Sequence, residues 1–428
     1  MTMKFLCLLF FLLILPVTLS AQSGAIEVTA PGNRFLKLAV DAPRCTDAVA
    51  NPATAKLAVD VLVNDMNMSG LFSAEGRATP AASREQLLAD FNYTPWVTAG
   101  FDMLVKGEYS LKSGGLTVEY RLYDIVNRKM ITAQRYHGST KDIRRFSHQF
   151  ADEILRVITG EKGIFTTKIA YVASHTGNKE IYVMDWDGGN PLPLTKNGSI
   201  NMNPDFSPDG RDVIFSSYKR GNPDLYRRSL SNSAETLISN RKGLNITGNW
   251  SPDGGSIALA LSKDGDAEIY TIDREGGHPV RLTKSPALDL YPAWSPDGKR
   301  IAFVSDRLGK PQIFIMNSDG SGVKRLTTSG NYNVNPRWSP KGDKIVFSRL
   351  SGSGFNIITI SPDGSGESQL TAEGNNENPS WSGDGRFICF SSKRGGGDGI
   401  YVMRADGSGQ MKVSQSKGKY FQPVWSRR

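Results

Sequence analysis

Cysteine is nearly absent from this sequence, histidine is scarce, and no apolar run is long enough to cross a bilayer. The 428 residues contain three cysteines and four histidines. Cys7 lies inside the apolar run Phe5 to Leu15, which leaves Cys45 and Cys389. These two read as buried thiols, not as a disulfide framework, so the fold has to be held by its cores. His137, His148, His175 and His278 show no H-x-x-x-H spacing, and His148 falls on the polar side of its helix. A histidine metal triad is therefore not expected. No G-x-S-x-G elbow occurs, and the Gly-Lys pairs at Gly298, Gly309 and Gly418 are followed by Arg, Pro and Tyr, which excludes a P-loop. Acidic residues gather only in turns, such as Asp185-Trp-Asp187-Gly188 and Asp264-Gly-Asp266, without completing a calcium loop. These absences point away from an enzyme: no catalytic residue, metal or cofactor is expected.

The first residues read as a signal peptide over 1–21. Lys4 precedes the apolar run, Pro16 follows it, and small residues allow cleavage after Ala21 or Ser23. The run is too short for an anchor, and Cys7 is not placed for lipid attachment. The expected product is exported and not embedded in a membrane. Formal net charge is +9, but the basic residues are scattered and form no stripe interleaved with aromatics, so nucleic acid is not an expected partner.

What the sequence does contain is a repeat. Phe206, Trp250, Trp294, Trp338, Trp381 and Trp425 recur every 43 or 44 residues, and most open a string of the form W-S-P-D-G. A period in the low forties with one aromatic-turn signature per unit marks a β-propeller blade. Strand-like runs recur in step: Ile169-AYVAS, Val213-IFSSY, Ile257-ALALS, Ile301-AFVSD, Ile345-VFSRL and Ile388-CFSSK. The proline presets one turn dihedral, the aspartate bonds back to the backbone, and the glycine accepts positive φ. The aromatic is expected to fill the wedge between neighbouring blades. The first unit lacks its own innermost strand, and Gln422-Pro-Val-Trp425 supplies one after the last unit. The reading is an all-β six-bladed propeller over 161–428, closed by the C-terminal strand. No hydrolase-like segment follows Trp425, which reads against the propeller peptidases.

Residues 22–160 do not repeat and read as a small mixed α/β domain with an N-terminal arm. Phe35–Val40, Met103–Leu111, Leu116–Asp124 and Lys129–His137 are strand patterns, expected as an antiparallel meander. Asn51-Pro52 caps a helix ending near Gly70. Thr140 is expected to cap a second, with Ile143, Phe146, Phe150, Ile154, Val157 and Ile158 on one face and Gly160 at its end.

In a propeller the loop entering each innermost strand lies at one mouth of the central channel. The candidates here are Asn201, Met202, Leu244, Asn245, Thr247, Asp289 and Leu290, continuing with Tyr291, Tyr332, Asn333, Asn376, Glu377, Tyr420 and Phe421. Amides beside large apolar groups fit a protein-binding surface. A periplasmic propeller that binds or processes carbohydrate or peptide is the competing reading.

The combination of repeat and α/β domain, with Met68-Ser-Gly-Leu-Phe72 and the junction Ile158 to Val172, resembles the TolB family. These are periplasmic propeller proteins of the Tol-Pal envelope system. The resemblance implies a non-catalytic, monomeric periplasmic adaptor that binds the lipoprotein Pal at the propeller mouth, at positions matching Leu244, Thr247 and Leu290. It also implies an N-terminal arm that recruits TolA, here Ile26, Glu27, Val28 and Thr29, by adding an edge strand. Such an adaptor serves outer-membrane integrity and constriction at division.

Overall fold

Each repeat unit folds into a four-stranded antiparallel sheet, and six such sheets form a ring in the computed structural model. The structure describes residues 34–47, 51–77, 92–112, 115–415 and 418–427; the signal-like segment and the arm Ile26–Thr29 lie outside them. Blade I consists of Lys168–Ala173, Glu180–Asp185 and Leu192–Pro193, with Tyr420–Trp425 as its innermost strand. Blades II to VI follow as 201–239, 245–281, 289–325, 333–369 and 375–412. The closing strand pairs Tyr420 with Ala173 and Trp425 with Ile169, so the expected six-bladed closure is borne out.

The recurring aromatics bridge blades. Trp250 packs on Ile214, Leu225 and Ile238 of blade II, and Trp338 on Ala302, Ile313 and Ile315 of blade IV. Trp425 reaches Phe387 and Cys389 of blade VI, and Cys389 is fully buried as expected. The backbone adds a latch. The Trp250 amide donates to Asp205 (3.1 Å), that of Trp294 to Asn249 (2.9 Å), and that of Trp425 to Ser380 Oγ (3.1 Å). The intervening turns work as their composition demands: Ser295 Oγ and the Lys299 amide both donate to Asp297 Oδ1, and Gly298 takes φ +70°.

The N-terminal sheet departs from the expected meander. Strand β1 (Leu36–Val40) lies inside the sheet, one strand from its edge, and the segments that follow are β2 (Arg44–Cys45), α1 (Pro52–Ser69), β3 (Phe72–Gly76), α2 (Thr94–Thr98), β4 (Met103–Ser110), β5 (Leu116–Asp124), β6 (Lys129–Gly138) and α3 (Ile143–Thr159). The order is β3-β1-β4-β5-β6, with β1 parallel to both β3 and β4 and only β4-β5-β6 antiparallel. The cause is α1, a crossover that returns the chain beside β1. Asn51 Oδ1 accepts from the Thr54 amide, and Gly70 ends α1 at φ +75°, against the Arg404 side chain of blade VI. The second helix is entered differently from expectation. Ser139 and Asp142 form a reciprocal cap around a single 3₁₀ turn that contains Thr140, and α3 starts at Ile143.

The two parts share a core: Phe165 packs on Trp186, and α1, α3 and blade I contribute to one apolar cluster. Beside it lies a buried charged group. His148 is not on a polar face: its Nδ1 meets Asp65 Oδ2 at 2.7 Å and the residue is 2% exposed. The pattern misled because α1 and the blade I turn cover that side of α3. Arg144 Nη2 donates to both oxygens of Asp187 (2.6 and 2.5 Å), and Lys168 pairs with Asp185. Asp65, His148 and Asp187 bring potential metal-ligating atoms within 4.8 Å of one another, but the Arg144 guanidinium already provides the positive charge there.

Two outcomes are expected. Truncating Trp250, which is 1% exposed, to alanine should destabilise the protein by about 3–5 kcal/mol in denaturant titration, because the space between rigid sheets does not collapse. The buried pair should make stability pH-dependent. Burial lifts the Asp65 carboxyl to about 7, while for His148 the carboxylates of Asp65 and Asp187 outweigh burial and raise the imidazole. Both groups thus hold protons to higher pH when folded, so their contribution is complete in acid and is lost as pH rises through neutrality. The melting temperature of the wild type, measured relative to Asp65→Asn, should fall from about pH 4 to about pH 8. A flat difference would reject this account.

Candidate functional site

Each innermost strand enters the ring through the same irregularity. Register shifts occur between Met202 and Asp205, Ile246 and Asn249, Leu290 and Ala293, Val334 and Arg337, Glu377 and Ser380, and Phe421 and Val424. Within these bulges Asn203, Thr247, Tyr291, Asn335, Asn378 and Gln422 all take positive φ, from 48° to 56°. A bulge re-aims the side chain it contains, and here it turns six of them onto the channel axis. Together with the following Pro or Gly residues they line a narrow neck of about 40 Å³. Asparagine tolerates this left-handed backbone; a β-branched threonine and a tyrosine do so only under strain.

Above the neck the mouth widens into a recess of about 350 Å³. Met202, Tyr291, Tyr332, Glu377 and Phe421 line it, joined by Val172, Lys179, Val334 and Phe355. Tyr332 and Phe355 meet edge to face at 5.8 Å, and the Lys179 ammonium sits 5.2 Å from the centre of the Phe421 ring. Burial pushes the Tyr291 phenol up, so it stays protonated and able to donate. Below the neck, Arg337 reaches across the channel to Asp205 at 2.9 Å. A second cavity, of about 180 Å³, lies on the far side.

The structure divides the residues singled out by sequence. Asn201, Asn245, Asp289, Asn333 and Asn376 are fully buried, and Tyr420 is 3% exposed. They are not surface contacts, because their side chains hold the loops in place. Asn201 Nδ2 donates to Lys179 O, Asn245 Nδ2 to Arg241 O, Asn333 Nδ2 to Gln312 Oε1 and Asn376 Nδ2 to Glu373 O. Asp289 accepts from Arg307, and Tyr420 packs on Tyr171. Met202, Leu244, Leu290, Tyr291, Glu377 and Phe421 are half-buried at the mouth and Tyr332 is exposed, while Thr247 is 5% exposed in the neck. Lys179 and Phe355 were missed because neither lies in an entering loop: Lys179 is in the loop joining second to third strands of blade I, and Phe355 is on the third strand of blade V. The residue before Pro or Gly in each repeat was the available signal for the ring of left-handed positions.

A ring of six sheets with a mouth of this kind, set on an α/β domain, defines a propeller scaffold of the two-part type. Profile comparison matches residues 155–428 to the TolB beta propeller domain and 24–131 to the TolB amino-terminal domain. The chain belongs to the TolB family. It is 54% identical over 209 residues to the Tol-Pal system protein TolB of Geobacter metallireducens, covering 49% of each chain, and 52% identical over 200 residues to that of Geobacter sulfurreducens, covering 46% of each. These alignments span about half the length of the curated relatives. The crystal structure of TolB from Acinetobacter baumannii superposes with a TM-score of 0.79 at 27% identity, over 92% of this chain and 97% of that one.

Strain at the neck should be measurable. Thr247→Asn places at blade III the residue type that blades II, V and VI already use, and should raise stability by about 0.5–1 kcal/mol in denaturant titration. Equal or lower stability would show that the threonine is not strained.

Proposed function

We propose that this protein is a non-catalytic periplasmic adaptor of a Tol-Pal system, which holds the lipoprotein Pal at the propeller mouth and recruits TolA through its N-terminal arm. The observation that supports it best is the mouth: a preformed recess with apolar and aromatic walls and amides at its base. Rigid aromatic anchors in a concave site are the features of a protein-binding hot spot. The recurring tryptophans favour this reading over a sugar-binding mouth, because they are buried between blades and none lines the recess. Family membership and the names of the relatives support the assignment to the Tol-Pal system. Among the described residues no helix is long and apolar enough to cross a membrane, which agrees with a partner that works beside membranes.

Within this reading Met202, Leu244, Leu290, Tyr291, Tyr332, Glu377 and Phe421 are the contacts. The buried amides act by holding the loops, and Thr247 acts from the neck. The test is capture of the lipid-free soluble domain of Pal. Leu290→Glu puts a charge on a half-buried mouth residue outside the blade cores and should lower Pal affinity at least about a hundredfold with an unchanged melting temperature. Removal of residues 23–34 should abolish capture of TolA and leave capture of Pal. Undiminished Pal binding by Leu290→Glu would reject the mouth.

A further inference from the structure

Antiparallel strands alternate in direction, so the loops entering the innermost strands and those joining second to third strands emerge on the same face as the mouth. Contacts between the two sets, such as Lys179 with Phe421 and Tyr332 with Phe355, agree with this. The entering loops carry Lys196, Arg241, Lys242, Lys284 and Lys419 against Glu373. The joining loops carry Lys179, Lys219, Arg220, Lys263, Arg307 and Lys310 against Asp264, Asp266 and Asp306. Internal pairing absorbs part of this charge, as in Lys219 with Glu235 and Arg307 with Asp289. Lys196, Lys242, Lys284, Lys310, Lys393 and Lys419 are exposed and make no ion pair among the described residues.

The opposite face is mixed in sign, with Arg211, Arg274, Lys299, Lys341 and Lys344 set among its carboxylates. Its turns present Asp209, Asp253, Asp297, Asp319, Asp363 and Asp406, each carboxyl held below its usual range by local hydrogen bonds, chiefly from serine. The N-terminal part attaches on that side, through Arg144 to Asp187, Arg386 to Lys162 O and Arg404 to Asn67 O. Among the described residues the N-terminal part leaves the basic face uncovered. It also carries Ile200, Leu288, Leu308, Tyr332 and Leu350, exposed by 37–60%.

We propose that the open face is built for an acidic protein: an apolar tip enters the recess while surrounding carboxylates meet an arc of lysines running from blade VI through blades I to IV. The proposal rests on the mouth being the partner site and adds the chemistry of what fits there. Blade V adds no such lysine, and Glu373 and Glu377 stand next to it at the entrance to blade VI; this gap in the arc gives the partner one rotational orientation. A like-charged rim guides encounter and register more than it holds the complex.

The test measures association of the full-length protein with the lipid-free soluble domain of Pal at about 50 and 500 mM salt. The variant is Lys196→Glu/Lys242→Glu/Lys284→Glu/Lys310→Glu, with Asp319→Lys/Asp363→Lys on the opposite face as control and melting temperatures as a check of folding. The quadruple variant should associate at least about tenfold more slowly at low salt, with little change in dissociation rate, and the wild type should lose a comparable factor at high salt. The control should associate as the wild type does. Association that ignores salt and the lysines while Leu290→Glu still abolishes capture would sink the acidic partner and leave the mouth intact. Loss in the quadruple variant with normal binding by Leu290→Glu would keep the charge complementarity and remove the recess. Vesicles containing about 30% anionic phospholipid provide the remaining arm. Lysine-dependent binding to them, with Pal insensitive, would make the face a membrane surface and overturn the proposal.

Discussion

The structure depends on how one blade is tied to the next. A propeller sheet cannot bury both faces alone, so each blade needs its neighbours. The tie has an apolar and a polar component at the same place. The aromatic ending each innermost strand fills the wedge toward the preceding blade, and in several blades its amide donates to a side chain there. Dispersion and area burial favour the contact without directing it; the hydrogen bond gives it a register. Around a closed ring such a register cannot drift, because the last blade must meet the first.

That constraint explains the mouth. If the innermost strands ran straight, their side chains would alternate between the two sheet faces and none would point along the axis. One extra residue per strand, placed in the left-handed region, breaks the alternation and turns a side chain into the channel. The repeat that builds the scaffold thus also supplies the binding residues, and blades differ only in what occupies that position. Asparagine and glutamine are the comfortable occupants. Threonine at 247 and tyrosine at 291 trade backbone ease for a surface, and strain of this kind is found where a site needs a particular shape.

The propeller was legible because its signals are local and repeated: turn chemistry at Pro-Asp-Gly, period-two strands and one large aromatic per unit all agree. The sites were legible only to the level of the loop. From the sequence, Asn201, Asn333 and Asn376 look like surface amides. That Asn201 and Asn333 turn inward to bond Lys179 O and Gln312 depends on where the preceding blade lies, which no local pattern carries, while Asn376 bonds Glu373 O within its own loop. The N-terminal sheet failed for a related reason. Strand β3, Phe-Ser-Ala-Glu-Gly, is short and weakly apolar, and its parallel place beside β1 is dictated by the α1 crossover rather than by its own residues. His148 shows the same limit, since a helix pattern marks one apolar stripe and cannot show that a second face will be covered by another element.

Charge behaves in the opposite way. Along the chain lysines and aspartates alternate, and the net charge of +9 suggests only a mildly basic protein. The repeat sorts them in space: residues about eleven apart fall alternately on opposite faces, and residues one period apart fall on the same one. A small basic bias in the loops of one face therefore adds up around the ring, while the turns of the other face stay mixed in sign. Neighbouring lysines on the open face repel one another and lower the stability of the fold slightly. Neither the wedge nor the latch needs that repulsion, and the acidic turns opposite are satisfied by their own serines. A charge arrangement that the fold does not require, surrounding a recess that the fold does shape, has its physical rationale in a third body approaching that face.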